Sequence, residues 1–224
     1  MVNIIPESAT RKDIKNAFSV SRESLKKLDI FVELLRKWQK KINLVGPKEL
    51  VRLWSRHIAD GLELANAIPL DVKSIVDLGS GSGIPGIIVA IALSDRGVEV
   101  HLVESNGKKA AFMREAIRKT GVKATVHCAR IEDVYDQPWV NEIELVTARA
   151  LAPLPLLVKL AVPFVESGGE MLFLKGEAVD SELTQTSKYW NMKHICLPSR
   201  TNVAGCILSI KEVRHASGAT KSIG

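Results

Sequence analysis

The sequence predicts a doubly wound α/β protein with an antiparallel edge strand and a helical N-terminal extension. Three observations carry this. From residue 69 onward, short β-branched runs alternate with helical segments, the texture of a mostly parallel sheet covered on both faces. The first such run ends in a glycine-rich loop that opens a helix, and an acidic residue closes the second. Before residue 69 the apolar residues recur three and four apart instead, which is helical spacing.

Taken in order, a short helix is expected over residues 10–18. Over residues 21–45, Leu25, Leu28, Phe31, Val32, Leu35, Trp38 and Ile42 form one apolar stripe. Gly46-Pro47 ends that helix and starts another, since proline is tolerated at a first helical position, and Leu50, Leu53, Trp54, Ile58 and Leu62 continue the spacing. Strands follow at Ser74–Leu78, Glu99–Val103 and Ala124–His127, at 144–148 and, after Gly168-Gly169, at 171–174. Between them, helices are expected over 85–93, over 108–120 (closed by Gly121) and over 155–165. A helix over 177–189 precedes strands near 194–197 and 206–211, which have no helix between them and so form the antiparallel edge. The chain thus divides into a basic helical extension (1–68), a sheet domain (69–214) and a disordered tail (215–224).

Composition narrows the function. The 224 residues are 46% hydrophobic and 25% charged, which excludes a disordered or fibrous chain. Residues 1–61 hold 13 Lys+Arg against 7 Asp+Glu and so carry the whole net charge of +6, while residues 62–224 hold 18 of each. That asymmetry points to a polyanionic partner. Cys128, Cys196 and Cys206 are an odd set without CxxC spacing, so neither a disulfide framework nor a zinc site is expected. The start lacks a basic-then-apolar secretory pattern, and the apolar stretches reach only about ten residues where a bilayer needs roughly 20. A cytoplasmic protein that binds no membrane and no metal is expected.

The most informative segment is Asp77-Leu78-Gly79-Ser80-Gly81-Ser82-Gly83-Ile84-Pro85-Gly86. Glycines let the backbone turn sharply and approach a ligand, and the helix N-terminus favours electron-rich groups. Gly81 to Gly86 satisfies G-x-G-x-x-G, with Glu104 about twenty residues on, as a dinucleotide site requires. Asp77 decides otherwise. A carboxylate at the mouth of a loop cradling a pyrophosphate repels it, whereas it suits the ammonium and sulfonium of S-adenosylmethionine. Glu104 can accept from the ribose hydroxyls of either ligand. Ile131 and Glu132, after the third strand, fall where an adenine would lie, although an ordinary acidic loop reads equally well there. Arg149 ends the fourth strand and therefore points into the ligand cleft, against the bland alternative of a surface ion-pairing residue. No Asp-Pro-Pro-Tyr type sequence and no Cys stands at that strand end. What remains is an acceptor that attacks unaided, such as guanine N7, with Arg149 orienting the reactants.

Together these residues resemble the RsmG (GidB) family, the bacterial 16S rRNA guanine-N7 methyltransferases. The resemblance runs from about Leu34 to Lys211. It rests on Trp38 with Asn43-Leu44, on Arg56-His57-Ile58-Ala59-Asp60 and on the whole glycine loop. It continues through Ala129-Arg130-Ile131-Glu132-Asp133, Ala148-Arg149-Ala150-Leu151-Ala152-Pro153-Leu154 and Leu174-Lys175-Gly176. Gln39, Val45 and Gly61 depart from the family's usual Asn, Thr and Ser. The resemblance implies a class I S-adenosylmethionine-dependent methyltransferase (Rossmann-like) fold and methyl transfer to guanosine 527 in the 530 loop. It implies a cofactor site of Asp77, Gly79, Gly81, Gly83, Ile84, Glu104, Ile131, Glu132 and Arg149, with Arg149 also catalytic. The partner is then 16S rRNA or the small ribosomal subunit, met by a monomer. Lys37, Lys40, Lys41, Arg56, His57, Arg130 and Lys175 are the candidate RNA contacts. For His57 and Asp60, three apart on one helical face, a structural tie to the sheet reads as well as a positioning role. Trp38 and Trp54 lie on apolar stripes and are expected in the core rather than as a stacking platform. Two other functions remain open: an S-adenosylmethionine-binding RNA assembly factor, and a dinucleotide-dependent oxidoreductase that equilibrium dialysis against NAD would reveal.

Overall fold

The computed structural model describes residues 4–216. It begins with α1 (Arg11–Ala17), held at its start by a reciprocal capping box between Thr10 and Asp13. Helix α2 (Arg22–Gln39) is capped by Ser21 and ends six residues before the expected limit. The reason is Gln39. Its Oε1 accepts from the backbone N–H of Leu44 and Val45 at 2.8 and 3.0 Å, and its Nε2 donates to the Val45 carbonyl at 2.8 Å. The chain therefore turns after Lys40 and tucks Leu44 into the core.

The second expected helix is continuous in path but not in winding. Pro47–Arg52 is a 3₁₀ helix, Leu53–Ile58 is wound as a π helix, and only α3 (Ala59–Ala67) is α-helical. π turns are rare and recur at functional sites. This one carries Arg56 and His57. Gly61 in α3 lies so close to α4 that a Cβ there would stand 2.6 Å from the Ile88 side chain, which is why the serine usual in the resembled family has no room.

The α/β part follows as β1 (Ser74–Leu78), α4 (Gly86–Ala92), β2 (Glu99–Val103), α5 (Gly107–Thr120) and β3 (Ala124–His127). It continues with β4 (Leu145–Arg149), α6 (Leu154–Val165), β5 (Glu170–Lys175), α7 (Val179–Thr186), β6 (Trp190–Pro198) and β7 (Cys206–His215). The seven strands lie in the order β3-β2-β1-β4-β5-β7-β6. The first five are parallel, β7 runs antiparallel to β5, and β6 pairs antiparallel with β7 at the edge. This is the doubly wound sheet with an antiparallel edge that the sequence predicts. Strand β7 takes in His215, one residue of the expected tail, because His215 pairs with Trp190 and stacks on it. Residues 217–224 of that tail lie outside the described residues.

Two apolar cores flank the sheet. One face buries Ile75, Val100, Leu102 and Leu145 beneath α4, α5 and the N-terminal helices, so that Ile14, Leu28, Phe31 and Leu35 share a core with Phe112. The other buries Val76, Leu78, Val103, Val146 and Phe173 against α6. Because parallel strands bury both faces, β1 and β4 read as near-continuous apolar runs. Trp38 and Trp54 are half-buried and packed against the first core, as expected, with Trp38 edge-on to Phe112 at 5.8 Å.

Candidate active site

The site grows from the carboxyl ends of β1, β2, β4 and β5, where a doubly wound sheet gathers its ligands. After β1 the chain turns through Gly79, Gly81 and Gly83, with φ of 62°, 57° and 74°. Two of these require glycine for different reasons. A Cβ on Gly79 would stand 2.5 Å from Leu151 Cδ1, so this glycine lets the β1 and β4 loops close on each other. Around Gly81 the nearest atom to such a Cβ is 3.8 Å away, so this glycine faces open space where a ligand can approach its backbone.

Glu104 follows β2 and fastens the loop. Its Oε2 accepts from the Gly81 N–H at 2.8 Å, and its Oε1 accepts from the Asn106 N–H at 2.7 Å. Asn106 in turn caps α5 through the amides of Lys108 and Lys109. A carboxylate has about four acceptor positions, so two remain for ribose hydroxyls. The sequence places Asp77 at the mouth of the loop, whereas the structure buries it fully beneath. Its Oδ1 accepts from the Thr147 hydroxyl at 2.7 Å, while Oδ2 is buried without a hydrogen bond. Burial pushes its pKa up to about 6, with the Thr147 hydroxyl opposing. Gly86 packs so tightly on this carboxyl that a Cβ would meet Oδ2 at 2.7 Å. Ile84 and Ile131 are nearly buried, Ile131 within the second core, and Glu132 is exposed at the start of the turn after it.

Arg149 is the last residue of β4, directly opposite Leu174 of β5. The next residue, Ala150, has φ of 52°, an uncommon conformation for a non-glycine residue, and the chain leaves the strand there. Arg149 Nη1 lies 2.6 Å from His57 Nδ1 and 3.4 Å from Asp60 Oδ2. Burial, then Arg149, Arg56 and Arg52, push the His57 pKa down to about 3, so the imidazole is neutral. Its Nδ1 must then accept from Arg149, which leaves the hydrogen on Nε2, 3.3 Å from the Glu49 carboxylate. Asp60 is buried as well; it accepts from the Thr201 hydroxyl and has Arg56 Nε at 3.7 Å. Arg149 itself is pulled below its usual value by burial, with Asp60 opposing. His57 and Asp60 thus link the N-terminal helices to Arg149 of the sheet and to Thr201.

Beside this network lies a cavity of about 490 Å³, lined by Arg56, Asp60, Arg149 and Lys175 together with α7 and the β6–β7 loop. Lys175, a candidate RNA contact by sequence, turns inward and pairs with Glu182 of α7. The remaining RNA candidates separate into groups. Arg56 and His57 belong to the network. Arg130 is exposed just before Ile131. Lys37 and Lys41 line a second groove, about 740 Å³, where α2 meets α5, with Trp38, Arg114, Arg118 and Lys119; Lys40 is exposed outside it. Sequence reasoning misses Thr147, Thr201, Glu49 and Glu182. Thr201 meets Asp60 across 141 positions of sequence, and no local pattern encodes such a meeting.

Comparison with known proteins bears on the family and the fold. A family model described as rRNA small subunit methyltransferase G matches residues 24–206. A protein of Bradyrhizobium sp. strain BTAi1 named ribosomal RNA small subunit methyltransferase G is 50% identical over 192 residues, covering 85% of this chain and 86% of its own. One of the same name from Gluconobacter oxydans is 45% identical over 197 residues, covering 88% and 98%. Among solved structures, the O-methyltransferase from Bacillus cereus in complex with SAH superposes with TM-score 0.61 at 14% identity, over 92% of this chain and 98% of that one. The O-methyltransferase TomG from Streptomyces achromogenes in complex with SAM gives TM-score 0.55 at 13% identity, over 83% and 89%. At these identities the two structures speak for the fold.

Proposed function

Because the chain belongs to the rRNA small subunit methyltransferase G family, we propose that it transfers a methyl group from S-adenosylmethionine to N7 of a guanine in 16S rRNA. The glycine loop fits that cofactor. Gly81 offers an approachable backbone, Glu104 keeps free acceptor positions, and the buried carboxyl of Asp77 places negative charge beneath a site for a cationic ligand. Gly79, Gly83, Ile84, Ile131 and Glu132 complete this reading. When bound, S-adenosylmethionine supplies an electrophilic methyl on a sulfonium.

One observation carries the choice of N7. The buried acid–base groups nearest Arg149 are already committed: His57 Nδ1 to Arg149, and Asp60 to Arg149, Arg56 and Thr201. Guanine N7 has a lone pair and no proton, so it needs no base. The chain's task is to hold the ring in line and keep water out. Arg149 does the holding by donating to the Hoogsteen edge at O6. Asp60, shared with Arg56, offsets part of its charge and so lessens its opposition to the positive charge the ring acquires. The target in the 530 loop, a monomeric state and a cytoplasmic location belong to the same proposal; among the described residues no helix is long and apolar enough to cross a membrane.

Labelled methyl transfer to rRNA from cells lacking the modification, with the nucleoside mapped, tests the reading. Counts at a guanine N7 are expected; their absence would overturn it. Lys37 and Lys41, facing Arg114 and Lys119 across the α2–α5 groove, are expected to meet RNA phosphate. Reversing both charges, Lys37→Glu with Lys41→Glu, should flatten the slope of log K against log salt by about 0.7–0.9 per lost contact. Cofactor affinity should not change. An unaltered slope would return both lysines to a solvated face.

A further inference from the structure

We propose that the Lys175–Glu182 pair reads the target base and selects guanine over adenine. The inference rests on the guanine-N7 reading above and adds to it the residues that recognise the ring. Like Arg56–Asp60 and Arg149–Asp60, the pair has both members on the cavity lining, but it lies outside the network that holds His57. The side chains of Lys175 and Glu182 are only 11% and 20% exposed. Ionic side chains are rarely withdrawn from water without a partner to meet, and each of these retains capacity after pairing. An ammonium has three donors and a carboxylate about four acceptor positions, of which their contact uses one each.

The fold brings three polar groups to the cavity. Arg149 ends β4 opposite Leu174, Lys175 is the next residue along β5, and Glu182 comes from α7, which follows β5. The cavity therefore presents two donors, Arg149 and Lys175, and one acceptor, Glu182. The edge of guanine is complementary while N7 keeps its lone pair for the methyl: O6 has two lone pairs to accept with, and N1–H and the 2-amino group donate. With Arg149 on the Hoogsteen side of O6, Lys175 falls to the other O6 lone pair and Glu182 to N1–H and the 2-amino group. Leu174, Ala150 and Val179 supply apolar surface for the ring faces. Adenine reverses this pattern. Its 6-amino group would face the ammonium and its unprotonated N1 would face the carboxylate, so both contacts become repulsive. A base held this way has left its stack, as enzymes acting on bases require.

Sites that hydrogen-bond a polar edge reject an analogue lacking it by about 10⁴-fold, far more than an apolar pocket achieves. The experiment measures methyl-transfer kcat/KM on small-subunit rRNA carrying guanine, inosine, adenine or 7-deazaguanine at the target position. The wild-type protein should prefer guanine to adenine by at least ~10³-fold, and to inosine, which lacks only the 2-amino group, by roughly tenfold. In Glu182→Ala the guanine and inosine values should converge to within about twofold, because the partner of the 2-amino group is gone. Glu182→Gln, nearly the same in volume, can offer N1 of adenine a donor and should narrow the guanine-to-adenine ratio. Cofactor affinity and thermal midpoint identify any variant that fails to fold, and the Gln variant then carries the test. Folded variants that keep wild-type preferences for guanine over both inosine and adenine would overturn the proposal. Methylation of the 7-deazaguanine RNA by the wild-type protein at the guanine rate would instead overturn the N7 reading beneath it, so the two failures are distinguishable.

Discussion

Arg149→Ala is expected to lower the methyl-transfer kcat/KM by about 10²–10³-fold, the usual effect of removing one preorganised donor from a reacting centre. In the proposed role the arginine orients the base rather than attracting RNA over long range. Its guanidinium is fixed by His57 Nδ1 at 2.6 Å and by Asp60 at 3.4 Å before any substrate arrives. RNA affinity should fall less than turnover. Stability complicates the alanine variant, since it leaves the buried Asp60 with the Thr201 hydroxyl and Arg56 at 3.7 Å, and breaking a buried pair costs about 3–5 kcal/mol. Arg149→Lys separates the two effects. It keeps a charge beside Asp60 but loses the planar fork, so it should fold with little loss and still turn over at least ~tenfold more slowly. Single-turnover rates beside urea midpoints for both variants make the measurement. Wild-type turnover in Arg149→Ala would show that the arginine serves only to join the helices to the sheet.

The frame of the candidate site is legible where local chemistry alone dictates structure. β1, β2 and β3 stand at the residues that β-branched runs between turn signals mark out, and Gly121 closes α5 in a left-handed conformation as its position requires. The glycine loop, Glu104 and Arg149 are readable because strand ends in a parallel sheet all meet at one edge. What the sequence hides has two physical sources. Apolar spacing of three and four is nearly the same for 3₁₀, α and π winding, so the triple character of residues 47–67 leaves no trace in it. A strand buried on both faces has no polar side, and alternation then cannot say where Asp77 or Lys175 points. Partners brought together by register fall in the same class: Asp77 meets Thr147 only because β1 lies beside β4 with those two residues paired.

Asp77→Asn is expected to make the protein less sensitive to pH and worse at binding S-adenosylmethionine. The folded protein holds the Asp77 proton up to a pH of about 6, against the ordinary value of 3.8. Between those two values the folded state binds more protons than the unfolded chain, so stability falls as pH rises through the interval and stays low above it. The ionised carboxyl then costs about 3 kcal/mol. Asparagine keeps the shape and the Thr147 contact without the charge. Its amide nitrogen takes the place of the unpartnered Oδ2, and leaving that group unpaired costs about 1–3 kcal/mol at every pH. The absolute gain is therefore small. The difference between pH 4 and pH 8 is the clean quantity, because the constant term cancels: relative to wild type, the variant should gain about 2.4 kcal/mol over that interval in urea titrations. A destabilising charge beneath the glycine loop makes physical sense if a cation binds above it. A bound cation favours the ionised carboxyl, so wild-type affinity for S-adenosylmethionine should rise as pH climbs through 6, while that of Asp77→Asn should be lower and flatter. If wild type and variant share one stability profile from pH 4 to pH 8, Asp77 is not the titrating group, and the negative charge has to be sought elsewhere in the site.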